Sequence, residues 1–419
     1  MTIPLKKPVL GMILKGYPRI SESFISNEIL LLEQQGIPIH IFSMRHPRES
    51  FSHESVKQIK ARVDYLPQSI LMALPQLLFY NLSLALKRPG HYLRAILVAL
   101  RRFLRTHKSA TIKHLLQAGY LVQKLLPGSQ VIHLHAHFAH SPSSVAMFAS
   151  QLSGIDFSFT GHAKDIYTSN PLQLKEKMAK ARFVVTCTEY NRRHLLKLTE
   201  DDSVALYRMY HGIDLGLFTG GDPRTNPVEP YHLVTVARLV PKKGLPTVYR
   251  ALQRLQQEGV DFQHTLIGDG DDLSELLALI RDLGLSDSCK WVGTLAHEHV
   301  LDYYRRSDLF VLGCKQAANG DRDGIPNVFV ESLAMGLPVV GTRLSAIPEL
   351  VRDGKTGLMV QPGDDEEMVR AMQRILTDTQ LREQIISSGK KRVRQAFNNR
   401  VLIKDLFSVY QKEVPELKL

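Results

Sequence analysis

The sequence predicts an α/β protein with two parallel sheets, each covered by helices. Short apolar runs that suit buried strands alternate with longer stretches in which apolar residues recur at helical spacing. The run 7–14 is the first such strand, and the stretch 21–35 follows it as a helix that ends near Gly36. With 419 residues the chain is long enough for two or three domains, each with its own core.

The same alternation continues through both halves of the chain. The predicted strands cover 7–14, 37–44, 130–138, 156–162 and 182–187 in the first half and 231–238, 262–268, 289–293, 308–313, 337–342 and 356–360 in the second. Strands separated by helices form parallel sheets, and such sheets bind ligands at the carboxyl ends of their strands. Functional residues are therefore expected directly after the strands.

A stretch dense in glycine, proline and asparagine marks the predicted domain boundary. We expect an N-terminal domain at 1–214, a linker at 215–231, a second domain at 232–398 and a C-terminal helix within 399–419. No internal repeat of solenoid period is present in the sequence.

The composition excludes several classes of protein. Apolar residues make up 44% and charged residues 22% of the chain, as is typical of a globular protein. The cysteines Cys187, Cys289 and Cys314 lie far apart, which argues against a disulfide framework or a cysteine-based zinc site and favours a reducing compartment. The N-terminal apolar run lacks a small-residue cleavage site, so we interpret it as a strand rather than a signal peptide.

The net charge of +12 is concentrated in one region. The 91 residues from Tyr65 to Ile155 contain no Asp or Glu and nine Lys or Arg. Such a region suits a phosphate-bearing partner, which could be a nucleic acid, a membrane surface or a lipid diphosphate.

Residues 66–113 form an insertion within this basic region. The stretch 66–86 is uncharged, and 91–105 is a basic amphipathic helix whose arginines fall mostly on the side away from its apolar residues. Two prolines and several polar residues disfavour a membrane span in 66–86. Two interpretations stay open: a helix pair that rests on a membrane surface, and a core-packed pair with a solvated basic face.

Residues 320–363 hold the pattern that says most about function. Asp323 is followed by Gly-Ile-Pro, and a second acid, Glu331, stands eight residues after the first. Pro326 suits the first turn of a helix, so 324–326 is predicted to lead into a helix N-terminus. Free N–H groups and the helix dipole favour an anion such as a diphosphate at that place.

This pattern resembles the acid-x7-acid motif of the retaining GT-B glycosyltransferases of family 4. Companion motifs occur in the family's order at 211–218, 236–244, 266–270, 291–293 and 357–364. The first acid is usually Glu in that family and is Asp323 here. A narrower resemblance, to exopolysaccharide transferases of the colanic-acid kind, rests on 15–36, 135–146 and 157–167.

The resemblance implies a GT-B fold, in which two Rossmann-like domains face each other across a cleft and the C-terminal helix crosses back to the first domain. It implies an enzyme, a hexosyltransferase that moves a sugar with retention from a UDP- or GDP-linked donor to a lipid-linked bacterial polysaccharide intermediate. We expect no cofactor and no metal, and a cytoplasmic location on the inner face of the plasma membrane. The sequence leaves the oligomeric state open.

Five residues are candidates for the chemistry. Arg238 and Lys243 follow a strand and can neutralise the leaving diphosphate, where negative charge builds up. Glu331 can accept hydrogen bonds from both ribose hydroxyls. The resemblance implies that Asp323 and His162 contact the donor sugar. Each assignment has an alternative. Arg238 and Lys243 could belong to an ordinary basic loop, Glu331 could be a helix carboxylate in a salt bridge, and His162 could be a loop histidine that binds water.

Main-chain groups complete the predicted donor site. The residues expected there are Gly324, Ile325, Pro326, Asn327 and Val328 at the helix start, Gly268 and Gly270 after a strand, and Val292 beside the base. The two glycines after the strand would let a ligand approach the backbone closely. Trp291 itself could belong to the core.

The acceptor side is predicted in the first domain. Tyr17, Arg19, Ser21 and Glu22 fall just past a strand, and His137 and Phe138 end another. The alternating His133, His135 and His137, with His140, invite a metal interpretation. No Asp or Glu stands near them in the sequence, so no metal site is expected.

Two other functions stay open. One is a catalytically inactive, sugar-binding GT-B relative, which the presence of Arg238, Lys243 and Glu331 disfavours. The other is a nucleic-acid-binding protein that uses the basic stretch 87–124. That stretch lacks a zinc-finger or RNP pattern, and its arginines alternate with aliphatic residues rather than with aromatic residues that stack on bases.

Overall fold

The computed structural model describes residues 7–19, 22–47, 54–199, 204–218 and 226–417. The chain divides into two compact units. The first unit comprises Met1–Cys187, Asn191–Met209 and Ile403–Leu419, and the second comprises Thr188–Tyr190 and Tyr210–Leu402. The chain thus passes between units at Met209 and at Leu402, a few residues from the boundaries expected from the sequence.

The first unit is a parallel sheet with helices on both faces. Its strands are β1 Val9–Leu14, β2 Ile39–Ser43, β3 Arg62–Tyr65, β4 Val131–His137, β5 Phe157–Gly161, β6 Phe183–Thr186 and β7 Leu206–Arg208. Its helices are α1 Ser23–Gln34, α2 Glu54–Gln58, α3 Leu74–Lys87, α4 Pro89–Thr106, α5 Ala110–Tyr120, α6 Ser141–Ser153, α7 Ala163–Tyr167 and α8 Pro171–Lys180, followed by α9 Glu189–Thr199.

The strand order of this sheet is β3-β2-β1-β4-β5-β6-β7, and every pairing is parallel. Side chains alternate between the two faces: Leu10, Met12 and Leu14 pack on one face of β1, and Ile13 packs on the other. The order reverses between β1 and β4, which are neighbours in the middle of the sheet. The ligand crevice of such a sheet lies at this reversal, outside the carboxyl ends of the strands.

The second unit repeats the architecture with six strands. Its strands are β8 Tyr231–Val236, β9 Phe262–Ile267, β10 Cys289–Trp291, β11 Leu309–Val311, β12 Val339–Thr342 and β13 Leu358–Val360. Its helices are α10 Leu245–Gln257, α11 Leu273–Asp282, α12 His297–Arg306, α13 Asn327–Met335, α14 Ile347–Leu350, α15 Asp365–Thr377 and α16 Thr379–Ala396. The sheet is parallel with the order β10-β9-β8-β11-β12-β13, so its reversal lies between β8 and β11.

The last helix, α17 Asn399–Glu413, follows α16. From Ile403 onward its residues belong to the first unit, where Leu406, Val409 and Tyr410 join the hydrophobic core beside β1 and α1.

The insertion after β3 is a group of three helices, α3, α4 and α5, which pack against one another and on α6. Among the described residues, the structure has no helix that is both long enough and apolar enough to cross a bilayer. One expectation for α4 is wrong, since Arg102 is buried and does not lie on a solvated basic face. Its Nε atom lies 3.0 Å from Glu176 Oε2, so an ion pair accounts for its burial.

The sequence prediction of two parallel, helix-covered sheets is confirmed, and every predicted strand is present. Two strands were missed, β3 and β7. Both are sheet edges of four and three residues whose side chains are partly exposed, so they lack the continuous apolar run that identifies a buried strand. Pro326 is the residue that caps α13 rather than part of its first turn.

Candidate functional site

The polar residues of the second unit collect where its sheet order reverses. Arg238 lies two residues after β8 and is exposed, and a single 3₁₀ turn, Pro241–Lys243, follows it. The segment after β11 runs through Cys314 to Asp323 and then enters α13. Because β8 and β11 are neighbouring parallel strands, both segments start from the same edge of the sheet.

Two lysines and two aspartates form one buried ion network at this edge. Lys243 Nζ lies 2.7 Å from Asp323 Oδ2, and Lys242 Nζ lies 3.1 Å from Asp323 Oδ1. Lys242 Nζ also lies 3.1 Å from Asp321 Oδ1. The four side chains are at most 14% exposed, so the two positive and two negative charges balance each other away from water.

The network fixes the ionisation of its members. Burial alone would raise the pKa of Asp323, but the Lys243 and Lys242 ammonium groups outweigh burial and lower the pKa to about 2. Burial disfavours the charge on Lys243, yet Asp323 raises its pKa above the ordinary value. Both groups are therefore charged at neutral pH, with a fixed positive group available to a diphosphate.

Glu331 lies on α13, further along the helix that Asp323 precedes. Its Oε2 accepts a hydrogen bond of 3.2 Å from the Tyr304 hydroxyl. Burial raises the pKa of Glu331 from 4.5 to about 7, with the Tyr304 hydrogen bond opposing part of the shift. No cation pairs with Glu331 among the described residues, so the salt-bridge alternative for this carboxylate is wrong.

The start of α13 is where the sequence predicted it, with Gly324, Ile325 and Pro326 in the loop and Asn327 and Val328 in the first turn. The first N–H groups of a helix have no partner within the helix. They stand between Asp323 and Glu331 along the chain, which suits a bound anion.

Gly268 and Gly270 follow β9, but the structure gives a reason for glycine other than the expected approach of a ligand. A Cβ atom on Gly268 would lie 1.9 Å from the Ala237 carbonyl oxygen, and one on Gly270 would lie 2.2 Å from that of Leu239. The glycines therefore let the loop after β9 pack on the loop after β8. Their role towards a ligand stays a prediction.

The loop after β10 joins the same edge. The Gly268 N–H donates to the Gly293 carbonyl at 2.8 Å, and the Trp291 indole N–H donates to the Gly268 carbonyl at 2.8 Å. Trp291 is 37% exposed, so it is not a core residue. The main chain of Val292 donates to Leu266 and holds the loop in place.

In the first unit, His162 directly follows β5 and caps α7. Its main-chain N–H donates to Asp165 Oδ1 at 3.0 Å, and the other oxygen of this carboxylate accepts the Ala139 N–H. Burial raises the pKa of Asp165 to about 7, opposed by these main-chain donors. His162 is only 8% exposed, so it is not the solvated loop histidine of the alternative interpretation.

Asp165 and Lys177 tie the ends of β4 and β5 together. Lys177 Nζ donates to the carbonyls of Ala139 at 2.5 Å and His140 at 2.7 Å, directly after β4. The His162 ring lies 4.7 Å from the Phe138 ring and 5.8 Å from the His137 ring, centroid to centroid. Phe138 has φ +79°, a left-handed conformation that costs a non-glycine residue energy and often occurs at functional sites.

The surroundings of His137 differ from the expectation that no acid lies near the histidines. The Nε2 atom of His137 lies 3.1 Å from Glu28 Oε1 on α1, so an acid does stand beside the histidines. Glu28, His135 and His137 could each offer one ligand atom within 4.8 Å of the others. However, the two ring nitrogens of His135 already bond to the hydroxyls of Ser158 and Thr160, so this donor set does not fit a metal without breaking those bonds.

The predicted acceptor-side residues after β1 separate in the structure. Tyr17 is 5% exposed and packs in the core, and burial, followed by Glu33, raises its pKa to about 12. Its expected contact with the acceptor stays a prediction. Arg19 and Glu22 lie together, with Nη1 of the former 3.9 Å from Oε1 of the latter. Ser21 lies outside the described residues.

Arg19 is the strongest of these candidates. Its Nε and Nη2 atoms are buried and lack a hydrogen-bond partner among the described residues. Lys15 lies directly after β1. Burial lowers the pKa of its ammonium group, and the positive charges of Arg45 and Arg19 lower it further. Several cations thus converge at the carboxyl ends of β1 and β2 and suit an anionic group.

Sequence reasoning missed six residues of the two sites: Lys242, Asp321, Tyr304, Glu28, Asp165 and Lys177. Lys242 and Asp321 stand beside predicted residues, and that proximity was the available signal. Tyr304 and Glu28 meet their partners 27 and 109 residues away, which no local pattern shows.

Residues 222–392 match the model of the family described as glycosyl transferases group 1. The chain is 32% identical to the amylovoran biosynthesis glycosyltransferase AmsK of Erwinia amylovora over 44% of this chain and 45% of that protein. It is 31% identical to the putative colanic acid biosynthesis glycosyltransferase WcaL of Escherichia coli over 50% of this chain and 51% of that protein. The matched part therefore spans about half the length of these relatives.

Solved structures show the same fold. A glycosyltransferase from Rickettsia africae superposes with a TM-score of 0.70 at 14% identity, over 98% of this chain and 99% of that chain. HepE of Anabaena in complex with UDP-glucose superposes with a TM-score of 0.68 at 16% identity, over 96% and 99% of the two chains. The fold is GT-B, and the resemblance read from the sequence is confirmed.

Proposed function

We propose that this chain, whose residues 222–392 match the group 1 glycosyl transferases, moves a sugar from a nucleotide diphosphate-sugar to a lipid-linked bacterial polysaccharide intermediate. One observation carries the proposal. The buried network of Lys242, Lys243, Asp321 and Asp323 stands directly before the N-terminus of α13, and Glu331 lies further along the same helix.

Each part of a nucleotide diphosphate-sugar has a counterpart in this arrangement. The diphosphate suits Lys243, Arg238 and the main-chain N–H groups at the start of α13. The ribose hydroxyls suit the Glu331 carboxylate, and the base suits the main chain at Val292. UDP and GDP both stay candidates: HepE was solved with UDP-glucose, and a relative from Mycolicibacterium smegmatis is named as GDP-mannose-dependent.

The proposed reaction retains the configuration of the sugar and uses no metal. The bond from the anomeric carbon to the diphosphate oxygen breaks, and the acceptor hydroxyl bonds to the same carbon on the same face. The hydroxyl proton passes to the departing diphosphate. Lys243 and Arg238 stabilise the charge on the leaving group, which is the part of the transition state where negative charge grows.

The proposed acceptor carries a lipid, and the enzyme works in the cytoplasm on the inner face of the plasma membrane. The names of AmsK and WcaL, which refer to amylovoran and colanic acid biosynthesis, support a polysaccharide pathway. In the first unit, two buried nitrogens of Arg19 have no hydrogen-bond partner within the part of the chain that the structure describes, and they support an anionic group on the acceptor side. We also propose that His162 contacts the donor sugar, as the resemblance implies.

The test is a panel of UDP- and GDP-linked sugars. A donor that binds the native state raises the melting temperature, and the same donor should then release its nucleotide when a membrane extract supplies the acceptor. Glu331→Gln should reduce the thermal shift for the same donor, and Lys355→Ala, which changes an exposed lysine of the same unit, should preserve it. Absence of any shift across the panel would overturn the proposal.

A further inference from the structure

The helices α3 and α4 present large apolar side chains to solvent. Phe79 is 66% exposed, Leu86 85% and Leu104 61%. The exposed apolar residues of this region are Leu71, Met72, Leu74, Leu78, Phe79, Leu82 and Leu86 on and before α3, and Leu93, Ile96, Leu97, Leu100 and Leu104 on α4. The two helices pack on each other, and we call their exposed apolar side chains together the α3–α4 face. Soluble monomers rarely expose so large an apolar patch without a partner.

The apolar stripe of α4 faces away from the protein. Leu93, Leu97, Leu100 and Leu104 recur at helical spacing on one side of the helix, and all are exposed. The side that the protein buries consists of Ala95, Ala99 and Arg102. An amphipathic helix of a globular protein normally buries its leucines, so α4 is rotated away from that arrangement. The core-packing interpretation of this helix is thereby wrong.

A buried amide fixes this rotation. Asn81 on α3 donates to the carbonyls of Leu77 and Leu116, and its Oδ1 accepts the Tyr92 hydroxyl at 2.9 Å. These bonds join α3, α4 and α5 at one point. A Cβ atom on Gly119 would lie 1.9 Å from Asn81 Oδ1, so the glycine makes room for the amide.

A buried ion pair fixes the other end of α4. Arg102 Nε lies 3.0 Å from Glu176 Oε2, and Arg105 Nη2 lies 3.2 Å from the same oxygen. Turning α4 to bury its leucines would separate the two ion pairs with Glu176 and break the hydrogen bond from Tyr92 to the buried amide of Asn81. The outward orientation of the leucines is therefore built into the polar core of the insertion.

Positive charge surrounds the α3–α4 face. Lys87, Arg94, Arg101 and Lys108 are exposed on or beside α4. The sequence has no Asp or Glu between residues 65 and 155, so no acid interrupts this charge locally. Arg102 and Arg105 do not contribute to it, because both bond to Glu176.

We propose that the α3–α4 face docks on an anionic phospholipid bilayer, with its leucines among the acyl chains and Lys87, Arg94, Arg101 and Lys108 at the headgroups. A surface that is apolar in the middle and basic at its border is what a bilayer with anionic headgroups accepts. A second copy of the chain is the other candidate occupant. Two such faces would bring their basic borders together, and like charges disfavour that pairing.

The inference deepens the proposed function and rests on it in one respect, since a lipid-linked acceptor is reached at a membrane. Docking itself needs neither donor nor acceptor. Binding to vesicles therefore tests the surface, and the thermal shift with UDP or GDP tests the donor site separately. A negative result in the vesicle experiment does not contradict the donor site, and a negative thermal shift does not contradict membrane docking.

The experiment is co-sedimentation with vesicles of phosphatidylcholine and phosphatidylglycerol, compared with vesicles of phosphatidylcholine alone. We expect the full chain to sediment with the anionic vesicles and to be released by salt. Replacing Leu82, Leu86, Leu93 and Leu97 together by Gln should lower the partition coefficient at least roughly tenfold, because the acyl-chain contact is lost. Replacing Arg94 and Arg101 by Gln should lower it about fivefold for each charge removed.

Matched controls separate the face from surface changes in general. Leu217→Gln with Val401→Asn removes two exposed apolar residues of the second unit, and Arg370→Gln with Arg374→Gln removes two exposed arginines of α15. Both should bind vesicles like the wild type. Every variant should keep the wild-type melting temperature, because the changed residues are exposed.

Three results would overturn the proposal. One is a wild-type chain that ignores anionic vesicles. Another is a four-leucine variant that binds them as well as the wild type while its melting temperature is unchanged. The third is a dimer in sedimentation velocity that this variant turns into monomers, which would assign the face to a second copy.

Discussion

Lys243 Nζ lies 2.7 Å from Asp323 Oδ2, in a partly buried pair at the sheet edge where the order of the second unit reverses. The other oxygen of Asp323 lies 3.1 Å from Lys242 Nζ. Each carboxylate oxygen of Asp323 therefore forms an ion pair with a different lysine. A diphosphate that approached Lys243 would meet an ammonium group whose position Asp323 has already fixed.

Removing the charge of Asp323 should destabilise the protein. Asp323→Asn leaves two buried lysines with Asp321 alone, and breaking a buried ion pair in this way costs about 3 kcal/mol in the free energy of unfolding. The pKa of Asp323 is about 2, below its ordinary value of 3.8. Its contribution to stability is thus complete above about pH 4 and is lost only as the pH falls through about 2.

Denaturant unfolding at pH 8 and pH 5 measures this effect, and the loss should be equal at the two values. Asp302→Asn is the control, because its pair with Arg305 is exposed and contributes less than about 1 kcal/mol. Inorganic phosphate should restore part of the lost stability of Asp323→Asn by replacing the missing anion. An unchanged free energy of unfolding would contradict the network.

Lys243 and His162 should act mainly in the transition state. Alanine at either position should lower kcat and kcat/KM together by about a hundredfold, since a positioned group that meets growing charge acts on the chemical step. Steady-state kinetics with the donor found in the panel gives both parameters. A rise in KM with kcat unchanged would assign these residues to ground-state binding instead.

Glu331 should make donor binding depend on pH. Burial raises its pKa to about 7, so the free protein loses this proton near neutrality. A carboxylate accepts hydrogen bonds from ribose better than the acid does, so the KM for the donor should fall as the pH rises from about 6 to about 8. Glu331→Gln should weaken donor binding and remove this pH dependence; a variant with wild-type KM at every pH would refute the assignment.

The same residue has the opposite effect on stability. The folded pKa of Glu331 lies above the ordinary value of 4.5, so the folded state holds the proton more tightly than the unfolded state. Stability is therefore lost as the pH rises from about 4.5 to about 7. Glu331→Gln should raise the melting temperature at pH 8 and change it little at pH 4.

Activity should not need a divalent metal. Lys243, Arg238 and the start of α13 can balance the diphosphate charge, and both ring nitrogens of His135 are bonded to hydroxyls. EDTA should leave the turnover rate unchanged, and added manganese or magnesium should not raise it. Loss of activity with EDTA and its return with manganese would point to a metal, and Glu28→Gln would then show whether the Glu28, His135 and His137 group holds it.

Position 270 should accept no residue larger than glycine, because the main chain of Leu239 lies close to it. In Gly270→Ala the new Cβ atom would lie 2.2 Å from the Leu239 carbonyl oxygen, so the loops after β8 and β9 must shift. We expect a loss of about 3 kcal/mol in the free energy of unfolding. Gly90→Ala is the control: nothing lies within 4 Å of the added atom, and the change should be neutral or stabilising by up to about 1 kcal/mol.

The strands and the helix α13 could be predicted from the sequence because their signals are local. A buried parallel strand is a continuous apolar run, and the run before Arg238 has this form. Glu331 could be placed on a helix because Pro326 and the apolar residues after it mark where that helix begins. The edge strands β3 and β7 gave no such signal, since few of their residues are buried.

Contacts between distant residues could not be predicted in this way. Asp321 meets Lys242 across 79 residues, and Glu28 meets His137 across 109. Tyr17 looked like a site residue from its place after β1, but its side chain turned into the core. Strand alternation gives the face on which a side chain lies, whereas its partners depend on which elements the fold brings together.

The helix α4 shows most clearly what the sequence determined and what the tertiary structure decided. By itself the sequence determined an amphipathic helix in a region without acids, because helical spacing and composition are local properties of the chain. It did not determine whether the leucines of that helix point inward or outward, since both arrangements bury one side. Only the tertiary structure decided this, because the Tyr92 hydroxyl on α4 bonds to the buried amide of Asn81 and Arg102 pairs with Glu176, and both contacts would be lost if the helix turned.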